Sequence, residues 1–490
     1  MTLRVSNTLT GRREEFTAED EVLLYVCGLT TSDPAHLGHA RLWAHADVVH
    51  RWLEQRGYDV RHVENFTDVN EKIVARVGEV ADDEAGVARH YIGEYLEQMR
   101  ALNLRRATVY PRVSESVPAI VRLIERLLDR GYAYEANGSV YFDTGAFEAY
   151  GALSNQSPDE LEPQGPESER SEKRNPADFA LWKAGGVAPE EIAEHRHETA
   201  APAEEAAGRA LTFDSPWGEG RPGWHIECSA MATTHLGDTI DIHMGGQDLV
   251  FPHHENEIAQ SEAATGEPFA RYWLHVRLME TGEEKMSSSL GNYWTVADAI
   301  EALGPMVVRT FLLSTAYDSR QRYSDNAVAE ARERYERLER AYDRATGAAD
   351  SPDAYATVVD ETLRGDVADA REAFADAMDD DFNTRGALAA LVDVARAVNS
   401  HLDSRERYDY AGLRAAIEAF ETLGGEALGL RFGTEPEGDV RLGELVERVL
   451  AVREREREAG NYDAADDLRA ALTDAGIEVE DTDDGPTYRL

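Results

Sequence analysis

The chain has little cysteine, little lysine and no long apolar run. Its 490 residues include two cysteines, Cys27 and Cys228, too few for a disulfide framework and suited to a reducing, cytoplasmic setting. No stretch of about 18 apolar residues occurs, so no helix is expected to cross a membrane. No basic flank followed by an apolar stretch stands near the start, so no secretion signal is expected. Bases are scarce: 50 against 94 acids, a net charge of −44. Only four of them are lysine: Lys72, Lys173, Lys183 and Lys285. Acidic charge on this scale accompanies either disorder or an unusual solvent. Disorder is excluded, because 42% of the residues are hydrophobic and apolar periodicity persists through most of the chain. The reading that remains is a folded protein of a salt-saturated, halophilic cytoplasm, where counterions screen self-repulsion. At face value the charge also argues against a polyanionic partner.

What is present organises into about two to four domains. "VLLYV" (Val22 to Val26) is a short buried-strand run. From Gly38 the pattern turns helical, with Leu42, Ala46, Val49 and Leu53 on one face and Gly57 as the stop. "YDVRHVENF" reads as a second strand. Strand, helix, strand is a βαβ unit, which makes the fold α/β with a parallel sheet. Residues 116–130 read as an amphipathic helix, and Asn137-Gly138 as the turn of a hairpin. Residues 185–208, rich in Pro, Glu and Ala, read as a surface insertion, partly disordered. Residues 326–430 are helical in pattern, with Leu388, Leu391, Ala395 and Val398 on one stripe. Residues 431–440 read as a linker, and the tail as two helices and a hairpin. No internal repeat is visible.

Three constellations carry chemistry. "HLGH" (His36, Leu37, Gly38, His39) falls at a strand-to-helix turn, where backbone N–H groups and the helix dipole favour phosphate. Two loop histidines near a helix start are the bland alternative. "EKMSSSLGN" holds Lys285, the only lysine after Lys183, followed by Ser287, Ser288 and Ser289. A lysine kept where arginine is the rule suggests that its point charge matters, and the hydroxyls add anion donors. A polar loop would look the same. The third is "GWHIECS…DIHMGGQDLVFPHHENE". Cys228 offers a soft ligand, and His253 and Glu257, at i and i+4, share a helix face. With Cys27 they compose a Cys-Cys-His-Glu set suited to zinc. Spacing does not separate His253 from His254, and buried free thiols or a solvated polar face remain open.

Together these stretches resemble the cysteinyl type of class I aminoacyl-tRNA synthetase. His36 to His39 matches the His-Ile-Gly-His signature with Leu for Ile, and Lys285 to Ser289 matches Lys-Met-Ser-Lys-Ser. "YVCG", "GWHIECSAM", "FPHHENEIAQ", "SLGN" and "MDDDFNTRGAL" (378–388) extend the likeness almost from end to end. The resemblance implies a Rossmann-like catalytic domain over 1–325, with an insertion at about 105–215. A helical tRNA-binding bundle over 326–430 and a small α+β anticodon-recognition domain over 431–490 follow. It implies that L-cysteine is activated with ATP and Mg2+ to cysteinyl-adenylate and passed to the 3′ end of tRNA(Cys) by a monomer. One zinc ion, held by Cys27, Cys228, His253 and Glu257, selects the substrate thiol. Thr67, Trp224 and His243 line the amino-acid pocket. Gly245, Gly246 and Asp248 lie near the adenosine, while His36, Gly38, His39 and the loop 285–289 hold the phosphates. One departure bears on that chemistry: Ser288 stands where the family signature has its second lysine. The family-like motifs after residue 326 set the chain apart from a ligase joining cysteine to a small amine. The two signatures set it apart from a non-enzymatic zinc-stabilised interaction protein.

Overall fold

The computed structural model describes residues 2–156, 167–281, 284–285 and 294–433, and beyond them 446, 449–453, 455, 457, 461–474, 477–482 and 485–489. The chain packs as two units, Met1–Arg431 and Phe432–Leu490.

The first unit opens with an antiparallel hairpin, β1 (Arg4–Asn7) and β2 (Arg12–Glu15). The apolar run then forms β3 (Glu21–Val26), with Val22, Leu24, Tyr25 and Val26 fully buried. α1 (Leu37–Gln55) follows, and β4 (Asp59–Glu64) returns beside β3 in parallel. This is the βαβ unit expected from the periodicity. α2 (Glu71–Val74), α3 (Glu84–Ala101) and α4 (Val113–Asp129) lead to a second, antiparallel sheet. Its strands are β5 (Ala133–Ala136), β6 (Ser139–Phe142), β7 (Phe179–Ala184) and β8 (Gly220–Pro222), in sequential order. Asn137 and Gly138 turn β5 into β6 with φ of 52° and 87°. Positive φ at both positions is the two-residue hairpin geometry that Asn-Gly favours.

Residues 185–208 do not behave as a partly disordered insertion. They form α5 (Pro189–His195) and α6 (Ala203–Ala207), and bury Val187, Ile192, Ala200 and Ala206. Arg76 donates to the carbonyl of His195 at 2.5 Å and further ties the segment to the core. Polar composition hid a sparse apolar set that is enough to seat two short helices.

α7 (Trp224–Leu236), β9 (Ile240–Gly246), α8 (Glu255–Thr265) and β10 (Ala270–Val276) complete the parallel sheet. Its order is β10-β9-β3-β4. The chain winds outward from β3 to β4 on one side of the β3–β9 junction and from β9 to β10 on the other, which makes the junction a topological switch point. In open parallel sheets such a junction leaves a crevice beyond the strands' carboxyl ends, where ligands bind.

After the sheet come β11 (Met279–Thr281), the two-residue strand Glu284–Lys285, α9 (Val296–Leu303) and α10 (Pro305–Leu313). Helices α11 (Asp325–Ala349), α12 (Glu361–Asp379), α13 (Thr384–Ser404) and α14 (Tyr410–Ala419) follow. The helical stripe read from the sequence is the buried one: Leu388, Leu391, Ala395 and Val398 are at most 1% exposed. These helices are tied to the sheet region by buried polar contacts. Arg309 donates to Leu428 O at 2.6 Å and Leu102 O at 2.9 Å and pairs with Asp47 of α1. Asp381 accepts from Ser6 Oγ at 2.6 Å, Tyr317 Oη at 2.7 Å and Arg13 at 3.1 Å.

In the second unit, helix Tyr462–Asp474 and the hairpin Glu478–Thr482/Gly485–Arg489 are one of the two expected helices and the expected hairpin, while the other helix falls largely outside the described residues. Val446, Leu450, Leu472 and Ile477 form its core. No described helix is long and apolar enough to cross a membrane.

Candidate active site

The crevice at the β3–β9 junction is a cleft of about 360 Å³. Cys27, Gly28, His36, Gly38, His39, Trp224, Gly246 and Asp248 stand on its wall. Cys27 follows the last residue of β3, and its N–H donates to Met244 O of β9 at 2.8 Å, so both strand ends are locked together at the cleft floor. Gly28 is required there: a Cβ would sit 1.6 Å from the Asn65 carbonyl oxygen.

His36 caps α1. Its Nδ1 accepts from His39 N at 3.3 Å, and His36 N donates back to His39 Nδ1 at 3.3 Å. The rings stack with centroids 3.6 Å apart. A side chain on residue 38 would meet His36 Cε1 at 2.8 Å, which is why glycine separates them. The first signature is joined through the backbone to residues 294–296. Leu37 N donates to Trp294 O at 3.2 Å and Val296 N to Ala35 O at 2.8 Å, just beyond the second signature. Within that signature Lys285 pairs through its backbone with Glu280. Ser287, Ser288 and Ser289 lie outside the described residues.

Beneath the cleft, donor atoms of Cys27, Cys228, His253 and Glu257 all lie within 4.8 Å of one another, and all four residues are buried. The thiol sulfurs are 3.8 Å apart. A tetrahedral ion with metal–sulfur bonds near 2.3 Å sets its sulfurs about 3.8 Å apart. His253 Nε2 and Glu257 Oε1 face each other at 2.9 Å, yet neither has a hydrogen-bond partner of acceptable geometry. An unsatisfied buried polar atom is costly, and this pair, unlike the other buried atoms without a partner, sits beside two thiols, which fits a shared cation. Burial would push the Glu257 carboxyl up, but His243 and His253 beside it hold it down at about 2. The donor set, two soft sulfurs with one imidazole and one carboxylate, can hold a metal ion.

The structure distributes the neighbouring histidines unequally. His253 Nδ1 lies 2.9 Å from Nδ1 of His225, which leaves its Nε2 toward the cluster. His254 is engaged elsewhere through Nδ1, which meets His275 Nε2 at 2.8 Å, while His275 Nδ1 meets Thr8 Oγ1 at 2.8 Å; a ring nitrogen of His254 also lies within 4.8 Å of His243 and Glu257. Burial, reinforced by His243, presses His254 far below its ordinary value and His275 down to about 3, so both are neutral near pH 7. Trp224, 39% exposed, holds its ring 4.4 Å from that of His253. His243 is buried behind the wall, 2.8 Å from Glu257 Oε2 and stacked on Trp273 at 4.3 Å. Thr67 is buried too, bonded to the β3 extension through Thr31 N to its carbonyl at 3.0 Å.

Two positioning residues escaped the sequence reading. His225 precedes Cys228 by three, a spacing that places both on one face of α7, and this signal was available. Asn65 was not legible. Its Oδ1 accepts from Tyr25 Oη and Gly28 N, both at 2.9 Å, contacts made only once β3 and β4 have paired.

Comparison with known proteins agrees with this geometry. The model of the tRNA synthetases class I (C) catalytic domain matches residues 14–333. A DALR domain matches 373–433, and the cysteinyl-tRNA ligase anticodon binding domain matches 439–489. The chain is 66% identical to the cysteine–tRNA ligase of Haloarcula marismortui and 61% to that of Halobacterium salinarum, over all of each chain. It is 42% identical to that of Thermococcus onnurineus, over 100% of this chain and 99% of that one. Among solved structures it is similar to Mycobacterium tuberculosis methionyl-tRNA synthetase bound by methionyl-adenylate. The TM-score is 0.59 at 16% identity, covering 84% of this chain and 93% of that one, a likeness of fold alone. A switch-point cleft that carries the His36–His39 signature, a Cys-Cys-His-Glu cluster under it and full-length identity of this order lead to one conclusion: the chain belongs to the cysteine–tRNA ligase family of class I synthetases.

Proposed function

We propose that the chain joins L-cysteine to tRNA(Cys) in two steps at the β3–β9 cleft. The cysteine carboxylate attacks the α-phosphate of ATP and pyrophosphate leaves. The terminal ribose hydroxyl of the tRNA then attacks the adenylate and releases AMP. The observation that carries this reading is the shared cleft: the His36–His39 turn and the Cys27 end of the metal-ligand set lie on one wall. Little side-chain chemistry is needed, so catalysis is positioning and charge stabilisation. His36 and His39, held face to face by their mutual hydrogen bonds, bind the phosphates, with Lys285 as the signature cation. Gly245, Gly246 and Asp248, at the end of β9, receive the adenosine, and the Asp248 carboxylate accepts from ribose hydroxyls. Trp224, Thr67 and His243 shape the amino-acid pocket. Cys27, Cys228, His253 and Glu257 would hold zinc, which supplies a soft site for the substrate thiolate that a hydroxyl cannot match. Residues 432–490 read the anticodon. Cysteine-dependent ATP–pyrophosphate exchange and tRNA charging test the reading.

His225 orients His253 from behind. Partners of this kind typically change metal affinity by about 10–100-fold when removed. His225→Ala is therefore expected to weaken zinc retention by about that factor, measured by competition against a chelator. Unchanged affinity would remove His225 from the site.

The net charge of −44 governs how the RNA is held. Basic RNA binders lose affinity by roughly 10³- to 10⁵-fold over a fourfold rise in salt, through counterion release. This chain must rely instead on stacking, hydrogen bonds and shape. Charging is expected to persist in molar KCl, and activity that peaks in dilute buffer and vanishes at molar salt would contradict this.

A further inference from the structure

The signature loop has a serine at 288 where its family signature has a second lysine, yet ATP arrives with several negative charges at a chain of net charge −44. The wall of the signature cleft includes two cationic side chains, Lys72 and Arg277. We propose that the Arg277 guanidinium binds the triphosphate of ATP and supplies the charge the signature loop lacks. The inference rests on the proposed reading of the cleft as the ATP site.

Three observations support Arg277. It directly follows β10, at the carboxyl end of the parallel sheet, where the crevice lies. Its backbone is fixed on both sides. Arg277 N donates to Tyr317 O at 2.8 Å, and Arg277 O accepts from Arg41 Nε at 3.2 Å. Arg41 is fully buried and follows His39 by two residues on α1. It is itself held by Ala316 O at 2.8 Å, Ser319 O at 2.7 Å and Gln321. The backbone of residue 277 is therefore anchored to the helix that begins with the signature histidines. Lys72, by contrast, belongs to α2, which packs on α3 and α5.

The guanidinium itself is uncommitted among the described residues. It is exposed, and among the described residues it has no hydrogen-bond or ion-pair partner. Other arginines near the cleft are engaged: Arg76 binds Asp33 at 2.8 Å and Arg221 binds Glu84 at 2.7 Å. Arg277 stands where the cleft adjoins a second cavity of about 490 Å³, lined also by Thr8, Arg12 and Asp318. A planar fork that stays charged and engages two phosphate oxygens at once suits this position.

The test uses the full chain with Arg277→Ala and Arg277→Lys, and titrates ATP and adenosine separately by calorimetry. Loss of a charge-assisted contact is expected to weaken ATP binding by at least about tenfold, with adenosine binding unchanged and part of the loss recovered by lysine. The KM for ATP in cysteine-dependent exchange should rise in step. ATP binding within twofold of the parent protein overturns the proposal, as does an equal loss for ATP and adenosine, which would assign Arg277 to the base or to the fold. Absence of exchange in the parent protein would instead refute the function, while the two titrations still decide the role of Arg277.

Discussion

Cys228→Ser is expected to lose its metal and, with it, the discrimination of cysteine from serine. The two amino acids differ in one atom, sulfur for oxygen. A pocket that works by size separates near-isosteres poorly, since a whole methylene is worth only about 1–3 kcal/mol. Hydrogen bonding favours the wrong substrate, because a hydroxyl donates and accepts better than a thiol. A soft cation reverses the preference, and the four donors gathered within 4.8 Å are suited to hold one. Zinc sites of this kind are worth about 10–16 kcal/mol, so one donor of four represents about 2.5–4 kcal/mol, or roughly 10²- to 10³-fold in affinity. Zinc content and cysteine-dependent exchange are expected to fall together in a correctly folded variant. A variant that keeps its full metal content, or that loses zinc and still rejects serine, would place discrimination elsewhere in the pocket.

Removal of the second unit is expected to separate the two chemical steps. The structure decides where to cut. Arg309 reaches the Leu428 carbonyl, and Arg51 of α1 reaches Glu426 O at 3.1 Å. A chain ending near Asp325 would keep the Asp47–Arg51–Arg309 cluster but remove one buried carbonyl from each arginine, and an unsatisfied buried donor costs about 1–3 kcal/mol. A chain ending at Gly433 keeps every one of these contacts. It should form the adenylate at a rate within about twofold of the full chain. Base stacking contributes about 1–3 kcal/mol per nucleotide, so losing an anticodon contact of two or three bases should slow charging by about thirtyfold or more. A soluble truncated protein that charges tRNA as well as the full chain would contradict the assignment of residues 432–490.

Much of the fold and part of the site are local, and these were legible. The run Val22–Val26 and the spacing of Leu42, Ala46, Val49 and Leu53 encode a strand and a helix through burial alone. His253 and Glu257 meet because four residues make one helical turn, whatever surrounds them. The distant thiols Cys27 and Cys228 could be named as candidate ligands from their chemistry, but only the family resemblance joined them, since no rule of spacing brings two strand- and helix-borne residues together. Periodicity could not choose between His253 and His254, because both are fully buried. Their difference lies in what the far nitrogen meets, His225 in one case and His275 in the other. Arg277 and Asn65 take their roles from long-range contacts, with Arg41 and with Gly28, that no window of sequence contains. Residues 185–208 misled for the opposite reason: their composition is that of a solvated segment, while a handful of apolar side chains determines the packing.

The most direct test of the central claim, a metal-dependent cysteine-activating site, is ATP–pyrophosphate exchange by the full chain in molar KCl. It should be run with cysteine and with serine, before and after zinc is stripped and returned. Exchange that appears with cysteine alone, disappears on chelation and returns with zinc is the predicted result. Equal exchange with serine, or exchange unaltered in the zinc-depleted protein, would contradict the account.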